Sequence, residues 1–103
     1  MFLKCLLINF QIFDNILLVR IVQKIKIIYN PTSGHQLSKN SAHNLALQLL
    51  DLDYMVKLSP TIYKTSAYDE TISADRDGFD IIIACGGDGT VNEVVNAMAE
   101  LKS

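Results

Sequence analysis

Asp80-Ile81-Ile82-Ile83-Ala84-Cys85-Gly86-Gly87-Asp88-Gly89-Thr90 is the stretch that decides the fold. Its first six residues show no alternation of polar and apolar side chains. That is the pattern of a parallel strand covered on both faces. The run breaks at Gly86-Gly87-Asp88-Gly89, and Thr90 to Leu101 then reads as a helix with Val91, Val94, Val95 and Met98 along its apolar stripe.

The same alternation of elements extends upstream. Lys24-Ile25-Lys26-Ile27-Ile28-Tyr29 is short and β-branched, and Asn30-Pro31-Thr32-Ser33-Gly34 stops it. Proline fixes φ and lacks an N–H, while Gly34 accepts positive φ, so a strand here runs into a turn. Leu45, Leu49 and Leu52 recur at helical spacing with Ala42, Ala46 and Leu50 on the adjoining stripe, which predicts a helix over Ser38 to Leu50. Tyr54 to Leu58 is a second strand ended by Ser59-Pro60-Thr61. A weaker helix over Ser66 to Arg76 closes at Asp77-Gly78. The order βαβαβα predicts an open, three-layer α/β unit on a short parallel sheet. Right-handed crossovers give its strands the order 2-1-3. Strands one and three are then neighbours with their helices on opposite faces, and a crevice opens between them at the carboxyl ends. Asn30–Gly34 and Gly86–Thr90 both border that crevice.

Composition limits what such a unit does. The 103 residues are 50% hydrophobic and 19% charged, enough for one small domain with a core. A formal net charge of −2 supplies no broad basic field for nucleic acid. Any phosphate must therefore be held locally. Cys5 and Cys85 lie far apart, form no metal-type spacing, and suit a reducing, cytoplasmic compartment. Residues 1–22 stand apart from the domain at 23–103. Met1 to Val22 is apolar but interrupted by Lys4, Asn9, Gln11, Asp14, Asn15 and Arg20, so it lacks the run of about 18 apolar residues that a spanning helix requires. Wound as a helix it places Lys4, Gln11, Asp14 and Asn15 on one side, the pattern of an interfacial helix with peripheral membrane contact. The other reading is an extension lying outside the domain proper.

Gly86-Gly87-Asp88-Gly89-Thr90 carries the chemistry. The first N–H groups of a helix lack backbone partners, and with the helix dipole they favour an anion. Glycines let the backbone approach a phosphate closely, and Thr90 can cap the helix or donate its hydroxyl to a phosphate. Asp88 would repel a phosphate unless it holds Mg²⁺, directly or through water, or takes a proton from an attacking hydroxyl. Asn92 stands where the dinucleotide fingerprint needs glycine, and the Gly-Lys-Ser/Thr step of Walker A is absent. The plainer alternative is a tight turn with Asp88 as a surface residue.

Asn30-Pro31-Thr32-Ser33-Gly34 together with Gly86-Gly87-Asp88-Gly89-Thr90-Val91-Asn92-Glu93 resembles the start of the diacylglycerol kinase catalytic domain, over about Lys24 to Leu101. The resemblance implies an ATP-dependent lipid kinase in which ATP and Mg²⁺ lie across the two glycine turns. The γ-phosphoryl passes to a lipid hydroxyl such as that of diacylglycerol. It implies nucleotide contacts at Asn30, Ser33, Gly34 and Thr61, phosphate contacts from Gly86 through Glu93, and acid–base or metal chemistry at Asp88. Thr65-Ser66-Ala67 stands where many members have Gly-Asp-Ala, altering how the second helix begins. The family's β-rich second lobe, which holds the lipid, has no counterpart, so the expectation is a truncated domain of low or no activity alone. The alternatives are an NAD-kinase-like enzyme, which shares a related GGDG turn, and a non-catalytic remnant or interaction module.

The remaining polar residues read as ordinary. His35 and His43 are too far apart for a metal pair on one helical turn. Asp51 with Asp53, and Asp75 with Asp77, sit at element ends as solvated or capping groups. Cys85 reads as packing, and Tyr63 and Tyr68 as packing or surface.

Overall fold

The computed structural model describes residues 4–9 and 24–103. Along them run β1 (Lys4–Asn9), β2 (Lys24–Tyr29), α1 (Leu37–Asp51), β3 (Met55–Pro60), α2 (Ser66–Arg76), β4 (Ile81–Gly86) and α3 (Asp88–Lys102). One sheet joins the strands in the order β1-β4-β2-β3. β2 pairs parallel with β3 on one side and with β4 on the other. The three parallel strands thus have the predicted 2-1-3 order.

β1 was not expected. It runs antiparallel along the whole outer edge of β4, from Lys4 opposite Gly86 to Asn9 opposite Ile81. The helical winding read for Met1 to Val22 therefore fails for Lys4–Asn9, and the rest of that segment lies outside the described residues. The physical reason is that a short apolar run carries no decisive period, and an open sheet edge offers it a row of unpaired backbone groups.

Two apolar layers sandwich the sheet. On one face Ile25, Ile27, Tyr29, Ile81, Ile83 and Cys85 pack against Ala42 and Ala46 of α1. On the other, Ile28, Ile82 and Ala84 pack against Ala67 and Ala74 of α2, Phe79, and Val94 and Met98 of α3. Ile27, Ile28 and Ile82 are completely buried, and each stabilises the fold by about 1.5–3 kcal/mol. Helices α1 and α3 thus lie on opposite faces, as the crossover rule requires.

The helical stripes are shifted from the sequence reading. The small Ala42 and Ala46 sit deepest, flanked by Leu45 and Leu49, whereas Leu50 and Leu52 are exposed. Alanine lets the α1 backbone lie close to the sheet, so the larger leucines are levered outward. In α3, Val94 and Met98 are buried but Val95 is exposed. β3 extends through Ser59 and Pro60; as an edge strand it tolerates a proline that cannot donate to a ladder.

Lys26 departs most from expectation, being 1% exposed on β2. Its ammonium ion-pairs with Glu70 and donates to the Glu70 carbonyl (3.0 Å) and to Ser73 Oγ (3.3 Å). The Phe79 ring centroid lies 5.5 Å from Nζ. A buried cation persists only when partnered in this way.

Candidate functional site

The chain leaves β2 at Asn30, whose N–H donates to the Cys85 carbonyl at 3.0 Å, so the first turn starts tied to the end of β4. Asn30 Oδ1 accepts from the Thr32 N–H (3.1 Å) and the Thr32 hydroxyl (3.0 Å), folding the side chain over its own turn. Gly34, His35 and Gln36 then follow in succession at positive φ before α1 begins. Glycine adopts this conformation freely, but for His35 and Gln36 it is strained.

The second turn is shaped by close contact. A Cβ on Gly86 would sit 2.7 Å from Thr90 Oγ1, so only glycine allows Thr90 to fold back over the end of β4. Gly87 caps α3 in an extended conformation, and the Val91 N–H returns to the Gly87 carbonyl at 3.2 Å. A Cβ on Gly87 would lie 3.7 Å from Ser33 Oγ, and one on Gly89 would meet nothing within 4 Å. Ser33 is therefore near neighbour to Gly87, and the two turns meet at the carboxyl ends of β2 and β4.

Between them opens a cleft of about 470 Å³, lined by Asn30, Pro31 and Thr32, by Thr61 through Lys64 and Ala67, and by Gly89, Thr90 and Glu93. This is within the usual range for a small-molecule site. Of the residues read from sequence, Asn30, Thr61, Gly89, Thr90 and Glu93 are brought together on its walls. Ser33 and Gly87 meet beside it, and Gly34 and Gly86 shape the two turns. Asp88 occupies the exposed first turn of α3. Val91 packs toward the core and Asn92 is exposed, and neither lines the cleft.

Glu93 is engaged more specifically than its motif suggests. Its Oε1 accepts from the backbone N–H groups of Ala67 (3.1 Å) and Tyr68 (3.3 Å), capping α2 from another helix. α2 starts from Thr65 at φ 75°, a left-handed conformation that a β-branched residue adopts only under strain. Ser66 Oγ accepts from the Ile62 N–H at 3.2 Å and holds the loop before it. The departure from Gly-Asp-Ala seen in the sequence is thus met by a strained residue and a cap borrowed from α3. Two helix N-termini, of α2 and α3, border the cleft; the dipole of α2 is met by the Glu93 carboxylate, and that of α3 favours negative charge.

The wall at Ile62, Tyr63 and Lys64 escaped the sequence reading, although its place just after the end of β3 was the available signal. Tyr63, read as packing or surface, lines the cleft, and its hydroxyl donates to Asp69 Oδ2 at 2.9 Å. That bond, then desolvation and the charges of Asp69 and Glu70, raise its pKa. Tyr68 likewise donates to Glu100 Oε2 at 2.6 Å, which raises its pKa first, followed by desolvation and the charges of Glu100 and Asp69.

Among the described residues no group of three or more His, Cys, Asp or Glu is placed to hold a metal ion. One Glu93 oxygen is committed to α2, and Asp88 stands in the exposed first turn of α3, outside the residues that line the cleft. No helix among the described residues is long and apolar enough to cross a membrane.

Three parallel strands with two glycine turns meeting at their switch point form the open α/β arrangement in which ligands bind outside the carboxyl ends of the strands. Residues 24–103 match the diacylglycerol kinase catalytic domain, and the chain belongs to that family of lipid kinases, whose members use a nucleotide. Proteins named diacylglycerol kinase from Staphylococcus aureus strains JH9, Newman and COL are each 42% identical to it over 87 residues. The match covers 76% of this chain and 25% of each relative. The chain therefore spans about a quarter of the length of these curated relatives.

Proposed function

We propose that the domain binds ATP with Mg²⁺ in this cleft and, together with a lipid-holding lobe, transfers the γ-phosphoryl group to a lipid hydroxyl. The observation that carries the reading is the meeting of the two turns, with Ser33 Oγ 3.7 Å from the position of a Gly87 Cβ. Amides of Gly87, Gly89 and Thr90 at the α3 N-terminus would face the phosphates, and Asn30, Ser33, Gly34 and Thr61 the rest of the nucleotide. Gly86 would keep Thr90 close. Val91, Asn92 and Glu93 would act from the first turns of α3, Glu93 chiefly by fixing α2.

In the transfer, the acceptor oxygen forms a bond to the γ-phosphorus as the bond to the β–γ bridging oxygen breaks, and ADP departs. The acceptor proton goes to Asp88 or to a water beside it. Mg²⁺, when bound, neutralises charge on the phosphate oxygens. A diacylglycerol acceptor sits at a bilayer surface, so the enzyme would work from the cytoplasm against the membrane.

Equilibrium titration with ATP–Mg²⁺ tests the reading, with Gly87→Ala as control. The new methyl meets only Ser33 Oγ at ordinary contact distance, so the fold should survive while the phosphate path is obstructed. Wild-type binding that falls at least tenfold in the variant, about 1.4 kcal/mol, supports the proposal. Wild-type binding no tighter than the variant's defeats it.

A further inference from the structure

The cleft is not uniform along its length. One end is backbone and small polar groups at the α3 N-terminus, where Gly89 opens onto free space and Thr90 lies beneath. The stretch after β3 contributes Ile62 and Tyr63 to the lining, which are 80% and 56% exposed although largely apolar. Isolated exposed apolar residues need no explanation. Here an aliphatic and an aromatic residue follow one another along the wall of a cleft that is otherwise lined by Asn30, Pro31, Thr32, Thr61, Ala67 and Glu93 among others.

Tyr63 is also tethered. Its hydroxyl donates to Asp69 Oδ2 in the first turn of α2, and that turn is itself capped by Glu93. A ring fixed at its hydroxyl end, yet more than half uncovered by protein, is arranged for a flat partner. Holding it in place reduces the entropy lost on binding.

We propose that Tyr63, with Ile62 beside it, is the platform on which the nucleobase stacks, the phosphates running from there toward Gly87–Thr90. The inference rests on the cleft being a nucleotide site and adds the ligand's direction within it. Every base presents a π-face, so such a platform gives affinity with little choice among bases. Lys64, next along the wall, makes no hydrogen bond or ion pair with another described residue and adds one positive charge to the lining.

The test is calorimetric titration of the full 103-residue chain with ATP–Mg²⁺ and, separately, with inorganic triphosphate–Mg²⁺. Tyr63→Ala should weaken ATP binding about 5- to 100-fold and leave triphosphate binding unchanged. Tyr63→Phe keeps the ring and should bind ATP nearly as well as wild type. Unchanged ATP affinity in Tyr63→Ala overturns the inference, and so does an equal loss for both ligands, which would report damage to the wall. If the wild-type chain binds neither ligand, the nucleotide reading falls and this one with it. Wild-type ATP binding indifferent to Tyr63 removes only the platform.

Discussion

The N-termini of α2 and α3 border the same cleft but are finished in opposite ways. α3 starts from Gly86-Gly87 with no side-chain cap, and its first turn presents Gly89 to open space. α2 starts from a strained Thr65 and spends two of its first amides on Glu93. The α2 end is capped by a side chain from another helix, whereas Gly87 gives the α3 end no such side-chain cap. The difference shows why equal dipoles need not make equal binding sites.

The sharpest way to break the contrast is at Gly86. Gly86→Ala drives a methyl to 2.7 Å from Thr90 Oγ1, and overpacking of this kind costs about 1–3 kcal/mol. Urea denaturation should show a lowered midpoint, whereas Gly87→Ala should melt within about 0.5 kcal/mol of wild type. Equal stability of Gly86→Ala and Gly87→Ala would refute the packing account. Glu93→Ala should cost about 1–2 kcal/mol by uncapping α2, with faster hydrogen exchange at Ala67 and Tyr68. Unchanged exchange there would mean the cap contributes nothing.

Thr65→Gly should act in the other direction. Relief of left-handed strain is worth about 1–2 kcal/mol, partly offset by glycine's freedom in the unfolded chain, for a net gain of about 1 kcal/mol. No rise in the thermal midpoint would contradict the strained geometry. The smallest effect concerns Tyr68, whose folded-state pKa is raised because the protonated hydroxyl donates to Glu100. A raised acid pKa means its stabilisation is complete below the ordinary value of 10.0 and is lost as pH climbs through the folded value. Tyr68→Phe should therefore melt slightly below wild type at neutral pH, with the gap closing at strongly alkaline pH.

Much of this was legible in the sequence because it is local. The unbroken Ile81–Cys85 run and the turn glycines announced a buried parallel strand and the tight turn into the helix after it. The connection order then gave the 2-1-3 sheet and the meeting of residues near 30 and 88. What escaped depends on distant partners. Lys4–Asn9 becomes a strand only because β4 has an edge to offer. Lys26 is buried only because Glu70 and Ser73 lie above it. Glu93 caps a helix 26 residues away in sequence, and no spacing rule links Glu93 to Ala67. Tyr63 looked like surface because its exposure is real, and only the cleft beside it gives that exposure meaning.

Lys26 also constrains how the cleft can adapt. Its charge lies beneath the middle of α2 and is satisfied by that helix's Glu70 carbonyl and carboxylate. Swinging α2 away as a rigid rod would strand an ammonium in an apolar layer, a penalty of several kcal/mol. The helix is moored at its midpoint. Adjustment on the α2 side of the cleft must therefore be taken up by the short span from Ile62 to Thr65, which ends at the left-handed Thr65.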